Sequence, residues 1–499
     1  MYILGLSCFY HDSAACLLAD GVPVGAASEQ VFTRKKHDPD FPIHAIRWLL
    51  DEAGITAEQI DAVAFYDKPL WKFERMLLSH ISTFPKSFPQ FVRGMPSWFA
   101  TKLRLDKLLK DELSYQGPIL YGQHHLSHAA SSFYASGFEE AAVLTVDGVG
   151  EWATASWGVG RDRRIEMKGE IRFPHSLGLL YSAFTYYLGF KVNSAEYKVM
   201  GLAPYGEPTV VDRIKQLIQI REDGTFRLDM RNFTFDHGMR MFNERFEEVM
   251  GRPARPLGDG PLEQFHKDVA RSLQEVVNEV MVKLSQRVLD ESGLDRLCLA
   301  GGVALNCVAN GHILRETNVK ELFVQPAAGD AGGAMGAALW AWHDLLDKPR
   351  QWKLDNVYLD RDMTRTPSPG PWSSTAHRHV ASTARSSWSR PRASSMKATW
   401  SVGTRAGWNG APEPWDTAPS SGTRDTPRCG TSSTGRSSSE KGSDRSLPRA
   451  SRRTSMTGSR SSGPAPTCSS WTRSVPRSAT APAPFPPSPT WTVPHASSP

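Results

Sequence analysis

The residues best suited to chemistry in this chain are two histidines in the segment GQHHLSHAAS. If residues 126–134 begin a helix, His124 and His128 lie one turn apart on one face, where two imidazoles can share a metal ion. Asp147, at the end of an apolar stretch, and Asp330, in a glycine-rich loop, could supply carboxylates. Two neutral imidazoles and two oxygens suit Fe(II), Mn(II) or Zn(II) better than Ca(II). The spacing alone is equally compatible with a solvated helix end or with core histidines.

A second candidate group lies near the N-terminus. His11 and Asp12 occupy a polar break between apolar stretches, and the basic run RKKHD follows at residues 34–38. A histidine in this loop could be the general base for an acceptor hydroxyl, and a lysine could hold a phosphate or carbonyl oxygen. A solvated surface is the alternative interpretation of such a basic run. The sequence shows no nucleophile elbow of the kind that a Ser/His/Asp triad uses.

Two glycine-rich junctions could bind a nucleotide. GGVALN at residues 301–306 and GDAGG, which begins at Gly329, each follow a predicted strand and precede helical sequence. Glycines there let backbone N–H groups approach a sugar or phosphate at a helix N-terminus. Neither junction matches the P-loop or the dinucleotide fingerprint. Each alone is compatible with a tight packed turn, whereas the two together favour a nucleotide site.

The elements that position these residues form a repeated pattern, in which a polar loop follows the first strand and a short turn the second. We therefore expect an α/β fold built from two duplicated halves. The predicted strands are 2–7, 14–19 and 22–27 in the first half, and 141–146, 153–159, 165–171, 296–300 and 321–324 in the second. Apolar spacing predicts helices at 43–53, 70–78, 261–289 and 334–342, and prolines predict a break at 85–96.

The charge of the chain changes near residue 360. Residues 361–499 hold 19 Lys+Arg against 6 Asp+Glu, whereas residues 1–360 hold 39 against 46. The final segment contains a single leucine and no isoleucine, so it cannot bury enough apolar surface to fold. We expect a folded region at 1–359 and a disordered low-complexity tail at 360–499.

No run of about 18 apolar residues could span a bilayer. The N-terminus also lacks a basic segment ahead of its apolar stretch, as a secretory signal would have. We expect a cytoplasmic protein with no membrane partner.

The chain contains five separated motifs, which in chain order are ILGLSCFYHDSAACLL, FTRKKHDPDFP, HHLSHAASSFYASGFEEAAVLTVDGVGEW, AEYKVMGLAPYG and LAGGVALNCVANG. Together they resemble the antibiotic and nodulation O-carbamoyltransferase family. The likeness covers about residues 1–359, which resemble the N-terminal domain of that family. It implies the duplicated actin/Hsp70/sugar-kinase (ASKHA) fold, related to the tRNA threonylcarbamoyl-transfer proteins.

The resemblance also implies roles for individual residues. An iron-like divalent ion, with Fe2+ expected, would be bound by His124, His128, Asp147 and Asp330. The adenosine of ATP or carbamoyl-adenylate would be cradled by Gly301, Gly302 and Asn306. The carbamoyl-transfer centre would contain His11 and Lys36, and residues 196–206 would line the same pocket.

The implied activity is ATP-dependent transfer of a carbamoyl group from carbamoyl phosphate, through carbamoyl-adenylate, to a hydroxyl of a natural product or sugar. We expect carbamoyl phosphate, ATP and the acceptor as partners, and not nucleic acid. Three alternatives remain open. They are a sugar-kinase-like phosphotransferase that uses ATP with Mg2+ and needs no histidine pair, an inactive nucleotide- and metal-binding remnant, and a nucleic-acid binder acting through the basic tail.

One motif departs from the family. Gln30-Val31 stand before Phe32 where the family has a Glu-Arg pair, next to the loop that carries Lys36. The exchange removes a charged pair from the side chains available to hold that loop.

The second domain of the family carries a signature close to EWGPRALGHRSIL, which is absent here as written. Yet WNGAPEPWDT at residues 408–417, back-translated and read from the third base of each codon, begins to spell that signature. We infer a one-base deletion near codon 360, with residues 360–499 translated out of frame. The rival interpretation is a natural basic tail.

Resequencing the source DNA across codons 350–370 tests this inference. We expect an additional G after the Leu359 codon, which would restore a two-domain reading frame. A DNA sequence that encodes the chain as given would contradict a sequencing error and leave a genuinely altered gene.

Overall fold

The computed structural model of this chain describes residues 1–258 and 260–360. The predicted disordered tail and out-of-frame translation, at 360–499, lie outside the described residues from residue 361 onward. Within the described part, no helix combines the length and apolarity needed to cross a bilayer.

The described residues form strands and α-helices joined by short helical turns. The strands are β1 Tyr2–Ser7, β2 Ala14–Ala19, β3 Val22–Ser28, β4 Ala62–Phe65, β5 Ile119–Tyr121, β6 Glu140–Val146, β7 Ala153–Arg161, β8 Arg164–Arg172, β9 Ile218–Ile220, β10 Phe226–Leu228, β11 Arg296–Ala300 and β12 Glu321–Val324. The α-helices are α1 Gln30–Thr33, α2 Ile43–Ala53, α3 Pro69–Ser82, α4 Phe88–Ser97, α5 Leu105–Leu113, α6 His124–Ser136, α7 Leu177–Tyr187, α8 Glu196–Leu202, α9 Val211–Lys215, α10 Glu244–Met250, α11 Gln264–Ser292, α12 Cys307–Glu316 and α13 Asp330–Trp340. Single turns lie at Ala57–Gln59, Trp98–Lys102, Ala203–Tyr205, Gly302–Leu305 and Ala341–Leu345.

Two five-stranded sheets share one arrangement. The first has the order β3-β2-β1-β4-β5, and the second has the order β8-β7-β6-β11-β12. In the first sheet β1 is antiparallel to β2 and parallel to β4. In the second, β6 is likewise antiparallel to β7 and parallel to β11. Matching order and direction confirm the predicted α/β fold of two duplicated halves.

Each half has its own apolar core. In the first, Leu4 of β1 and Phe65 of β4 are buried with Leu49 of α2. In the second, Leu144 of β6 packs in a cluster with Leu273 of α11. Burial of side chains from the sheet and from a covering helix is what holds each half together.

The structure confirms most of the predicted helices and corrects one prediction. The helix at 43–53 has the predicted bounds, and the long helix α11 starts three residues later than expected and ends beside Gly293. The predicted break at 85–96 is wrong, because α4 occupies most of it. Pro89 lies in its first turn, where the missing N–H has no helical partner to lose, and Pro96 lies near its end.

Helices α6 and α13 cross in close contact and connect the two halves. A Cβ on Gly336 of α13 would overlap the carbonyl oxygen of Ser127 on α6. On the other side of α13, a Cβ on Gly5 of β1 would overlap the carbonyl oxygen of Ala334. Backbone therefore touches backbone, and only glycine leaves enough room at these two positions.

Replacement of Gly336 by alanine tests this contact. We expect Gly336→Ala to lower the free energy of unfolding by about 1–3 kcal/mol or more, because the added methyl group forces α6 and α13 apart. Urea denaturation followed by circular dichroism measures the change. Gly94→Ala in α4 is the control, since a Cβ there meets open space. Equal stability of both variants would contradict the proposed contact.

Candidate functional site

A cavity of about 460 Å³ is lined by residues from both halves. The β1–β2 loop contributes Tyr10, His11 and Asp12, and the equivalent β6–β7 loop contributes Asp147 and Gly148. The remaining walls come from the basic loop after β3, from α7 and α8, and from the two glycine-rich junctions. The cavity is therefore formed where the predicted site motifs meet.

The four predicted metal ligands converge, and two of them, Asp147 and Asp330, line this cavity. His124 and His128 lie on α6, Asp147 follows β6, and Asp330 begins α13. His124 Nε2 lies 3.1 Å from His128 Nε2 and 3.2 Å from an Asp147 oxygen. Asp330 Oδ1 lies 3.6 Å from His124 Nε2 and 3.5 Å from His128 Nε2. All four ligand atoms lie within 4.8 Å of one another.

This arrangement fits a divalent transition metal. Bonds of about 2.1 Å to a central ion place neighbouring ligand atoms about 3.0–3.4 Å apart, close to the distances found. The Nδ1 atoms of His124 and His128 are buried without a hydrogen-bond partner. Without an ion, Nε2 of His124 can carry a proton and donate it to Asp147. When Nε2 of both rings is deprotonated, the two lone pairs face each other, and a cation relieves that repulsion. We call His124, His128, Asp147 and Asp330 the ligand cluster.

The charges in the ligand cluster favour ionised carboxylates. Burial alone would raise the pKa of Asp147, but a hydrogen bond from His124 and the nearby imidazoles hold it well below its usual range. Burial likewise opposes ionisation of Asp330, and His11 and His124 nevertheless lower its pKa. Burial would lower the pKa of His124, but Asp330 and Asp147 raise it. The cluster therefore attracts positive charge.

His125 lies beside the ligand cluster without joining it. Its Nδ1 is 2.9 Å from the Thr145 hydroxyl and 2.8 Å from that of Ser156. Burial and the charge of His124 lower the pKa of His125 to about 3, so it is neutral. The two hydroxyl contacts hold the ring of His125 in place, and we assign it a structural role.

The β6–β7 loop encloses the first turn of α6. Asp147 accepts a hydrogen bond from the N–H of Gly302 at 2.9 Å, which orients its carboxylate. Gly150 packs against the rings of His124 and His125. Glu151 accepts a hydrogen bond from the backbone N–H of His124 at 3.0 Å. Glu151 lies in the motif DGVGEW, but its residue type and position there do not distinguish it as a functional residue.

His11 is held in a hydrogen-bonded chain on the opposite wall. Its Nδ1 lies 2.8 Å from Asp12, whose other oxygen lies 2.8 Å from Nδ1 of His37. Its Nε2 lies 3.9 Å from Asp330. Burial would lower the pKa of His11, but Asp330 and Asp12 raise it to about 9.

Gln30 anchors the basic loop despite the departure from the family motif. Its side-chain oxygen accepts a hydrogen bond from the N–H of His37 at 2.9 Å. A second contact joins the Thr33 hydroxyl to Asp38 at 2.8 Å. Lys36 lies on the cavity wall, with its ammonium 5.6 Å from the Tyr197 ring. A neutral amide and a hydroxyl thus hold the loop that carries Lys36.

The predicted nucleotide residues occupy different places. Gly302, Asn306 and Gly329 line the cavity. Gly301 lies behind the wall at φ +93°, packed on the backbone of Val146, so its role in the structure is close packing. The Asn306 side chain caps α12 and exchanges hydrogen bonds with Gln274 at 3.0 Å.

Residues 196–206 contribute one wall, as expected. Glu196, Tyr197 and Met200 of α8 line the cavity. Glu196 also accepts hydrogen bonds of 2.9 Å from the Ser182 hydroxyl and from the N–H of Asn193. At the far end of this segment, Gly206 packs against the backbone of α11.

Comparison with known proteins places these motifs in one family. A sequence model described as carbamoyltransferase N-terminus matches residues 2–339. An uncharacterised protein of Synechocystis is 52% identical over 358 residues, which are 70% of this chain and 58% of that protein. The nodulation protein NolNO of Sinorhizobium fredii is 35% identical over 363 residues, 71% of this chain and 50% of that protein. The chain thus spans about half the length of these relatives.

The solved structures that match this chain share little sequence with it. A ROK hexokinase of Thermus thermophilus is 15% identical with a TM-score of 0.32, covering 68% of this chain and 98% of that one. HypF of T. kodakarensis is 14% identical with a TM-score of 0.35, covering 70% of this chain and 48% of that one.

Removal of a single ligand side chain tests the ligand cluster. We expect the wild-type protein to bind one Fe(II) ion under anaerobic conditions, and His128→Ala or Asp330→Ala to weaken binding by more than about 100-fold, beyond the usual effect of an outer-shell change. Equilibrium dialysis with elemental analysis measures both. His312→Ala in α12 is the control, because its imidazole pairs with Glu316 away from the cavity. Unchanged binding in either cluster variant would show that the ion sits elsewhere.

Proposed function

This chain belongs to the family of the carbamoyltransferase N-terminus, and from that premise we propose that it transfers a carbamoyl group from carbamoyl-adenylate to a hydroxyl of a natural product or sugar. The observation that carries the proposal is the ligand cluster, two of whose members, Asp147 and Asp330, line a cavity formed by both halves. A sugar-kinase-like site would need no such pair of histidines.

The ligand cluster would hold the metal, with Fe(II) as the proposed ion. A divalent ion there supplies positive charge that polarises carbamoyl or phosphate oxygens. Gly302 fixes Asp147, and Asp330 starts α13, so both carboxylates have defined positions before any ligand binds. The residues of the cluster would thus hold the ion in a fixed position, and the ion would face the anionic part of the substrate.

Gly302, Asn306 and Gly329 would line the adenosine side of the cavity. A Cβ at Gly329 meets only the side chain of Leu305, at 3.9 Å, so this position has open space. The side-chain amide of Asn306 is already engaged with Gln274 and α12. We therefore assign adenosine contact to the glycines and a scaffold role to Asn306.

His11 is the proposed base, and Lys36 the proposed partner of an anionic oxygen. A base must be neutral before it takes a proton, whereas the carboxylates of Asp330 and Asp12 raise the pKa of His11 to about 9. Charge neutralisation at Asp330, which is also a proposed metal ligand, would remove the strongest of these effects and favour the neutral imidazole. The ammonium of Lys36 forms no ion pair in the described part of the chain, so it is available to an oxygen of the substrate.

The proposed step balances without a further reactant. The acceptor oxygen forms a bond to the carbamoyl carbon, and the bond from that carbon to the adenylate phosphate oxygen breaks. His11 receives the hydroxyl proton, and AMP leaves with the electron pair of the broken bond. The products are the O-carbamoylated acceptor and AMP.

We further propose that this 499-residue chain cannot make carbamoyl-adenylate itself. The full activity would begin with carbamoyl phosphate and ATP, from which a second domain of the family makes carbamoyl-adenylate. Residues 360–499, interpreted as an out-of-frame translation, would not supply that domain. A separate source of carbamoyl-adenylate is then required.

Supply of carbamoyl-adenylate to the purified protein tests this function. With Fe(II) and a panel of sugars and hydroxylated natural products, we expect AMP release and a carbamoylated product detected by mass spectrometry. His11→Ala should slow the reaction by about 100-fold or more, because the base is lost. Gly329→Leu should weaken binding of AMP, measured by calorimetry, at least ten-fold by filling the adenosine space.

His312→Ala serves again as the surface control and should retain the wild-type rate. Product formation from carbamoyl phosphate and ATP alone would overturn the proposed dependence on an outside source. Absence of both AMP binding and carbamoyl transfer would reject the function itself.

A further inference from the structure

Glu151 is a buried carboxylate with an unusual set of partners. Only 6% of the residue is exposed, and it forms no ion pair in the described part of the chain. Its Oε1 accepts hydrogen bonds from the backbone N–H of Lys68 at 2.9 Å and of His124 at 3.0 Å. Its Oε2 lies 3.1 Å from the same His124 nitrogen. Backbone donors thus satisfy the carboxylate where a cation usually would.

These two N–H groups belong to the starts of two helices. Lys68 precedes α3, and His124 is the first residue of α6. Neither helix receives a hydrogen bond from the side chain of its own N-cap residue. A carboxylate at a helix N-terminus satisfies donors that the helix cannot and interacts favourably with its dipole. Glu151 therefore caps both helices from a third segment of the chain.

The capped end of α6 carries the ligand cluster. His124 is one of the four candidate ligands, and Asp147 lies four residues before Glu151 in the same loop. Gly150 lies between Asp147 and Glu151 in this loop. A Cβ added at Gly150 would lie 3.0 Å from Cδ2 of His124, so the backbone packs closely against this ring. Tyr66 closes the other side of this ring, with ring centroids 5.2 Å apart. One loop thus contributes a ligand, confines the ring of a second ligand and fixes its backbone.

We propose that Glu151 is a positioning residue that sets His124 against Asp147 and joins the start of α3 to the metal site. The inference rests on the metal role proposed above for the ligand cluster. Glu151 itself would touch neither the ion nor the substrate, because both of its oxygens are engaged with backbone N–H groups. Its effect is transmitted through the first turn of α6.

The isosteric variant Glu151→Gln separates positioning from folding. It keeps the volume and one oxygen, which can accept from both Lys68 and His124 as Oε1 does. It removes the negative charge, and it replaces the second oxygen, which also contacts the His124 nitrogen, by an NH2 group that cannot accept. We expect Glu151→Gln to weaken divalent-metal binding about ten-fold and Glu151→Ala up to about 100-fold, the range typical of outer-shell residues. The readout is titration with Co(II), whose absorption spectrum reports ligand geometry, together with competition by a chelator.

Glu29 provides a matched control in the other half. It is 2% exposed and caps α2 through its two oxygens, with the N–H of His44 at 3.3 Å and that of Ala45 at 3.0 Å. Unlike Glu151, it also contacts an imidazole, Nδ1 of His44, at 2.6 Å. Glu29→Gln makes the same chemical change to a buried helix cap that does not touch the ligand cluster. Its Co(II) affinity should stay within two-fold of the wild-type value, and urea denaturation of both variants confirms folding.

The outcomes separate this inference from the function on which it rests. If His128→Ala loses Co(II) while Glu151→Gln and Glu151→Ala bind it as tightly and with the same spectrum as the wild-type protein, Glu151 has no positioning role and the metal site stands. If the wild-type protein binds no Co(II) at the cluster, the metal role and this inference fail together. An equal loss in Glu29→Gln would show a general effect of destabilisation and would also reject the specific role of Glu151.

Discussion

The close contact between α6 and α13 is the constraint on which the site depends. The absence of a side chain on Gly336 lets α13 approach the backbone of α6 at Ser127. Because α13 begins at Asp330 and α6 begins at His124, this approach brings a carboxylate to two imidazoles that lie about 200 residues away in sequence. A wider helix crossing would leave the same residues in place along each helix and still separate their ligand atoms.

Two buried carboxylates in one site raise the free energy of the folded protein unless positive charge or hydrogen-bond donors balance them. Asp147 and Asp330 are both buried beside imidazoles, and two carboxylates in one site repel each other. The protein relieves part of this cost with the N–H of Gly302 and with His11, which approaches Asp330 from the opposite wall. Even with these contacts, the ligand cluster keeps a negative potential and presents oxygen and nitrogen lone pairs. This is the chemical basis for proposing that it binds a cation.

The sequence was informative where local patterns decide the structure. Strands β1 and β2 and helix α2 match their predicted bounds, because apolar runs between turn residues and regular helical spacing are local properties. The four residues of the ligand cluster could also be named, since each lies in a motif. Their convergence is visible only in the fold.

Other features could not be predicted because they depend on distant contacts. Glu151 caps a helix that begins 27 residues earlier, and a glutamate in a loop shows nothing of such a partner. Gly301 illustrates a different limit, because a glycine needed for positive φ and close packing looks in sequence like one that contacts a ligand. Three prolines, Pro85, Pro89 and Pro96, indicated a break at 85–96. Pro85 precedes α4, and Pro89 and Pro96 lie near its two ends, where a helix tolerates proline.

The duplicated halves explain why the cavity has two different walls. Each half places the loop after its first strand at the cavity, and each loop carries an aspartate, Asp12 in one half and Asp147 in the other. Asp12 lies 2.8 Å from Nδ1 of His11 and 2.8 Å from Nδ1 of His37. Asp147 is oriented by the backbone N–H of Gly302 and faces the buried ring of His124. Under the proposed function, the same position in the fold would therefore serve proton transfer in one half and hold a cation in the other.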